Sequence, residues 1–454
     1  MKRLLTGVCA LALASCAGTT PPPRDAAVQV PGGWRTSVGP TAAIEKQWWS
    51  RFGDPALTQL VEAALAHNPD IAIAAARVAE ARAQERLSRS QLFPSLDLSA
   101  GGTYSRSVNA LGQGSESLGA QPAFEAAYEV DAFGRISNQV RAARLSTFAA
   151  DAAREVTTLS VAATTASGYI TLRALDARLG VVQATLVSRA EALRLARDRA
   201  RVGYTSELEL RQAEAEYQAT AQIVPQVELS LRRQENALSQ LIGVPPQAIA
   251  RGLALAAIRP PPVPDGLPSD LLRRRPDIAQ AEFTLAAADA SLASARAQFL
   301  PQLRLTGSAG AVLSDALGDP ITIWTLGASI LAPIFNGGRI QAQVETAAAR
   351  RDQSAFAYQR TALTAFREVE DNLAAVQRLG EQRVTLEAQR RAVAEALRHA
   401  TNRYQAGYSS YLEQLDAQRA LLTVDLSLVQ LEADQLNALV ALYQAMGGGW
   451  TAPS

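Results

Sequence analysis

Cysteine and histidine are nearly missing from this 454-residue chain, with only Cys9, Cys16, His67 and His399 present. Two cysteines give no disulfide framework, and two isolated histidines give no cluster for a metal or a general base. No HExxH, Walker A, GxSxG or paired-cysteine pattern occurs either, so the chain does not read as an enzyme. His67 stands in an "HNPD" helix start and His399 within a helical stretch, and both read as structural. An excess of basic charge is also lacking: 44 Lys and Arg face 43 Asp and Glu, which removes nucleic acid as a partner. Finally, the N-terminal apolar run "LLTGVCALALA" is shorter than the ~20 residues that a helical membrane span requires.

What that run does resemble is a leader. Lys2 and Arg3 precede it and "LASC" closes it at residues 13 to 16, the form of a signal peptide ending in a lipobox. Residues 1–15 are thus expected to leave, taking Cys9 with them. Cys16 becomes an N-terminus carrying diacylglycerol and an acyl chain such as palmitate, with no other cofactor expected. Residues 16–40, including "AGTTPPPR", read as a flexible tether. Ala17 and Gly18 supply no aspartate of the inner-membrane retention type, which points to the outer membrane.

The rest of the chain echoes itself. "DRARVGYTSELELRQAE" at 198 to 214 is matched by "NRYQAGYSSYLEQLDAQ" at 402 to 418, and "NPDI" at 68 by "RPDI" at 275. "VDAFGR" at 130 is matched by "PIFNGGR" at 333, and "NALSQLIG" at 236 by "NALVALYQAMG" at 437. The common order is helix, apolar patch, long helix, turn, helix, as a gene duplication would leave it. The intervals Gly134–Gly203 and Gly338–Gly407 are equal, proline-free and rich in Ala, Arg, Glu, Gln and Leu. Each predicts a helix on the order of 100 Å long. Such helices must pack on one another as coiled coils. Two shorter helices stacked end to end beside each long one would match its length, with a kink expected at Pro225 but not at Val429.

After Pro94 and Pro301 the pattern turns to alternation. Four strands are expected, at 95–107, 119–131, 302–313 and 321–332, joined by the loops "SVNALGQGSESLGAQ" and "LSDALGD". Each has the length that crosses an outer membrane when tilted. Four strands cannot close a barrel, so in a membrane several chains must share one, whether two or three. Two ordinary hairpins in a soluble sheet are the alternative.

"WWSRFGDPALTQLVEAALAHNPDI" (48–71), "YEVDAFGRI" (128–136), "ENALSQLIGVPP" (235–246), "LLRRRPDIAQAE" (271–282) and "PIFNGGRI" (333–340) carry a resemblance over nearly the whole mature chain. The chain resembles the outer-membrane factors, the TolC-like efflux proteins, most closely their lipoprotein branch of RND-type multidrug efflux channels. That resemblance implies an α+β membrane protein in which three chains share a 12-stranded transmembrane β-barrel, continued by a 12-helix α-barrel of coiled coils with a mixed equatorial domain. Its segments would be 41–69 and 242–275 with the tail 447–454. The repeats would be 70–241, with long helix 134–202 and return helix 204–241, and 276–446, with long helix 338–406 and return helix 408–446. The implied partners are two further copies of the chain, a periplasmic adaptor (membrane fusion protein), an inner-membrane pump of RND type and outer-membrane lipid. A type I protein secretion duct, or a periplasmic coiled-coil scaffold or adaptor lipoprotein without a pore, stays open as an alternative.

The resemblance also assigns sites. Glu413 and Asp416 would form carboxylate rings that narrow the periplasmic end and favour cations. Gly203, Tyr204, Thr205, Gly407, Tyr408 and Ser409 would form the tip that docks the adaptor. Arg199, Arg201, Arg403 and Tyr404 would hold the tip shut. Glu209, the counterpart of Glu413 in the first half, matches it in position and residue type.

Overall fold

The structure, a computed structural model, describes residues 23–36, 41–108, 111–264, 266–315 and 317–451. In chain order the elements are β1 (Thr41–Ala42), α1 (Pro55–His67), α2 (Pro69–Ser90), β2 (Ser95–Ser99), β3 (Gly102–Val108), β4 (Gly114–Ala120) and β5 (Ala123–Val130). There follow α3 (Arg135–Arg201), α4 (Glu207–Ala221), α5 (Ile223–Leu241), β6 (Val263–Pro264), α6 (Pro268–Arg274), α7 (Pro276–Ala297), β7 (Gln302–Ser314), β8 (Ile321–Leu331), α8 (Arg339–Gln405) and α9 (Tyr411–Ala445). Both α3 and α8 run for 67 residues. Two compact units form, one mainly from Ala76–Asp151 with Gln280–Arg360, the other from Gln29–Ala75, Ala152–Ala279 and Thr361–Ser454. Neither unit follows a sequence half; each draws on both.

The first unit holds a six-stranded antiparallel sheet in which β2 pairs with β5, β5 with β7 and β7 with β8, while β3 pairs with β4 and β4 with the end of β7. Its register explains the alternation. Leu98, Phe124, Ala309 and Trp324 lie opposite one another across four strands, as do Leu96, Ala126, Gly307 and Leu326. Directly paired residues share a face, so this face is apolar. The other carries Asp97, Glu125, Ser308 and Thr325 in one row and Glu129, Arg304 and Ser329 in another. The apolar face is bare: Leu96 is 70% exposed, Trp324 70%, Leu326 78% and Ile330 74%.

Two of the four expected strands need correction. The stretches 95–107 and 119–131 are each broken in two, and the second begins at Gly114, so most of the loop expected at 107–121 is strand. The breaks face each other: Gln121 N–H donates to the Gly101 carbonyl at 2.9 Å, and the Pro122 carbonyl accepts from Ala311 N–H at 3.0 Å. Pro122 has no N–H for the ladder, so regular pairing stops there and resumes beyond it. Ser115, Ser117 and Gly119 hid the outer strand from hydropathy, but its ladder with β3 needs only backbone.

In the second unit Trp48, Phe52, Leu57, Tyr169, Ile170, Leu172 and Leu238 are almost completely buried. Trp48 stacks on Tyr443 with ring centroids 5.3 Å apart. Burying each such side chain contributes about 1.5–3 kcal/mol. Two buried charges inside are paired. Asp54 caps α1 by accepting from Ala56 and Leu57 N–H, and also accepts from the Tyr169 hydroxyl and Leu253 N–H, both at 2.9 Å. Arg275 of the "RRRPDI" stretch donates to Asp277, to Glu368 and to the Ala445 carbonyl. These two charges make the "FGDP" and "RPD" motifs architectural.

The return legs differ as the sequence predicts, with the break displaced. The helix stops at Ala221 and restarts at Ile223, four and two residues before Pro225. Proline cannot bond to the carbonyl four residues back and its ring crowds it. Val429 keeps its N–H, and α9 is continuous for 35 residues. Among the described residues no helix is long and apolar enough to cross a membrane, and no group of three or more His, Cys, Asp or Glu could hold a metal ion.

Candidate functional site

Each long helix ends in the same turn. Gly203 and Gly407 have φ of 71° and 78°, the left-handed region where a Cβ is disfavoured. Tyr204 N–H returns to the Arg199 carbonyl, and Tyr408 N–H to that of Arg403, both at 2.8 Å. These are glycine C-caps that close off orphan helix carbonyls. Ser206 then starts α4 by accepting from Glu209 N–H at 3.3 Å.

Residues near the two turns meet. Leu193 and Ala196 of α3, Ala213 of α4, Tyr404 of α8, and Tyr411 and Leu415 of α9 form one small apolar cluster. Glu209 sits beside it: one carboxylate oxygen accepts a short bond from the Tyr404 hydroxyl, the other accepts from Thr205 Oγ1 at 2.5 Å. The Arg199 guanidinium lies over the Tyr404 ring, 4.8 Å from its centroid, and more loosely over Tyr204 at 6.0 Å. Burial, and then the bond to Glu209, push the Tyr404 hydroxyl up to about 12.

The structure therefore brings Arg199, Tyr404 and Thr205 together around Glu209. Arg201 is not among them; it is exposed and pairs with Asp198 at 3.5 Å. Arg403 reaches Glu413 at 3.9 Å. Tyr204 and Tyr408 are 78% and 80% exposed, free to meet a partner surface. Ser409 Oγ is buried with no hydrogen-bond partner among the described residues. The Asp416 side chain is 64% exposed and lies 3.8 Å from Arg419. Cys16 lies outside the described residues.

Three further groups were not singled out in the sequence. Glu216 on α4 is accepted into a nearly dry position, where Arg189 of α3 donates to one oxygen at 2.6 Å and Arg419 of α9 to the other. Their signal was present but faint: Ala213, Glu216 and Thr220 recur at helical spacing on the buried stripe of α4, where a carboxylate needs a partner.

A sheet whose bare face is apolar, in a chain whose 67-residue helices end in paired glycine turns, defines the class of TolC-like outer-membrane channels. The chain belongs to the outer membrane efflux protein family, which it matches over residues 60–244 and 267–448. It is 38% identical over 416 residues to the solvent efflux pump outer membrane protein SrpC of Pseudomonas putida, covering 88% of this chain and 87% of that one. It is 31% identical to the probable outer membrane lipoprotein SilC of Salmonella typhimurium over 89% of this chain and 88% of SilC. The open state of the MtrE outer membrane channel of Neisseria gonorrhoeae superposes with a TM-score of 0.82 at 30% identity, covering 93% of this chain and 96% of that one. The protein is thus an efflux channel of the outer membrane.

Proposed function

We propose that this chain is the passive exit duct of a tripartite efflux system. The observation that carries the reading is the sheet: its apolar face is bare, and among the described residues β8 pairs only with β7, β2 only with β5 and β3 only with β4. Hydrocarbon does not tolerate unpaired backbone, so these edges must meet those of other copies. With β2 and β3 counted as one interrupted strand and β4 and β5 as another, each copy brings four; three copies then give twelve strands and room for a pore, whereas the eight strands of two copies fill their own interior. The long helices would form the periplasmic wall, with 41–69, 242–275 and the tail as the belt around it. Lipid on Cys16 would add a second hold on the membrane.

In this reading Glu413 and Asp416 narrow the far end, and Arg199, Tyr404 and Glu209 keep it closed. Gly203, Tyr204, Thr205, Gly407, Tyr408 and Ser409 receive the adaptor. The duct needs no catalytic residue, because an RND-type inner-membrane pump supplies the free energy. Small apolar molecules are the expected cargo, in keeping with the solvent efflux named for one relative. Planar-bilayer recording of the purified protein, alongside its mass in detergent, tests this directly. A trimer with a cation-preferring conductance is expected; a monomer that passes no current overturns it.

A further inference from the structure

Each of the two carboxylates assigned to the constriction has an arginine near it, and the two arginines are held differently. Arg403 lies 3.9 Å from Glu413 and is 58% exposed. Arg419 lies 3.8 Å from Asp416 through Nη1, while its Nε and Nη2 edge is bonded to Glu216 Oε1. Glu216 is itself only 10% exposed, and its Oε2 accepts from Arg189 Nη1 at 2.6 Å. Arg189, 4% exposed, also donates to the Glu216 carbonyl and to Thr220 Oγ1.

Two cations and one anion meet in this cluster, so it carries one surplus positive charge. The surplus emerges on the side that is open to water, at Arg419, beside Asp416. A half-exposed arginine normally samples many rotamers and screens its neighbour weakly. Here three helices fix it: Arg189 on α3 holds Glu216 on α4, and Glu216 holds Arg419 on α9.

We propose that Arg419 is a specificity-determining residue of the duct, a counter-charge that Glu216 holds beside Asp416 and that limits how strongly the constriction prefers cations. The proposal rests on the reading of Asp416 as part of that constriction. It gives opposite signs for two neighbouring substitutions. Arg419→Gln removes the counter-charge and raises the cation-to-anion permeability ratio about two- to fivefold, the scale set by unit charges ~4 Å apart in water. Glu216→Gln takes away the anion that shares Arg419, leaves its charge to Asp416, and lowers the ratio.

Reversal potentials in asymmetric KCl, measured on variants that retain the wild-type mass in detergent, test this. Asp416→Asn serves as the reference and should lower the ratio. If it does not, the constriction reading falls and the proposal with it. If Asp416→Asn lowers the ratio while Arg419→Gln leaves it unchanged, the proposal alone falls. A rise in conductance at constant reversal potential in Arg419→Gln would make Arg419 a mechanical latch and likewise overturn the proposal. Arg419→Lys keeps the charge without the fork, and should restore most of the wild-type ratio.

Discussion

The two helix turns share a backbone and differ in what surrounds it. Gly203 and Gly407 adopt the same left-handed cap, and each is followed six residues later by a glutamate, Glu209 or Glu413. Glu209 is consumed: Tyr404 and Thr205 donate to its two oxygens. Glu413 keeps a half-exposed side chain and one distant arginine. A repeated motif thus sets the shape of a turn twice, while partners brought from elsewhere decide that one carboxylate fastens helices and the other stays half-exposed.

Glu209→Ala should break this comparison most strongly. It leaves the Tyr404 hydroxyl and Thr205 without their acceptor, a loss of about 1.5–3 kcal/mol for bonds to a charged group. The open fraction in planar bilayers should rise on the order of tenfold or more, whereas Glu413→Ala should leave it unchanged. Alkali probes the same link. A hydroxyl raised in the folded protein to about 12 stabilises the fold fully below its ordinary value near 10 and loses that contribution as pH climbs from about 10 to about 12. Channel opening should increase across that window, and Tyr404→Phe, already lacking the bond, should show a smaller alkaline step, with burial of the neighbouring Tyr411 hydroxyl, also pushed up, accounting for what remains.

Next in size are the turns themselves. Gly203→Ala and Gly407→Ala each put a Cβ into a left-handed backbone at a cost of about 1–2 kcal/mol. No atom lies within 4 Å of either added Cβ, so the two losses should match in thermal unfolding. Unequal losses would mean that the turns differ in more than their carboxylates. Glu413→Gln should act on selectivity alone, lowering the cation-to-anion permeability ratio about two- to fivefold, on the ~1 kcal/mol scale of a charge contact in water. Smallest of all, Pro225→Ala should let α4 and α5 join as α9 is joined. Helical circular dichroism should increase slightly, with a change in stability of under about 1 kcal/mol.

Much of the fold was legible because its determinants are local. Proline-free, alanine-rich intervals bounded by glycine predict long helices, and the alternation at 302–313 and 321–332 comes close to β7 and β8, Gln302–Ser314 and Ile321–Leu331. Most of the serine- and glycine-rich strand β4 escaped because Leu118 is its one large apolar residue, too little to show an alternation. At the tip, the aromatic and arginine content near the glycines was visible, and Arg199 and Tyr404 do meet there. Glu209 as their anchor and Glu216 between two arginines were not readable, because acidic residues are common on solvated helix faces.

By itself, then, the sequence determined the lengths of the helices, their glycine-capped ends and the period of the sheet, since φ/ψ limits and side-chain alternation act between near neighbours. Only the tertiary structure decided which charges are spent and which remain. Tyr404 reaches Glu209 across 195 positions, and Arg419 reaches Glu216 across 203. A carboxylate's role depends on which donors and how much water surround it, and both come from chain that is distant in sequence.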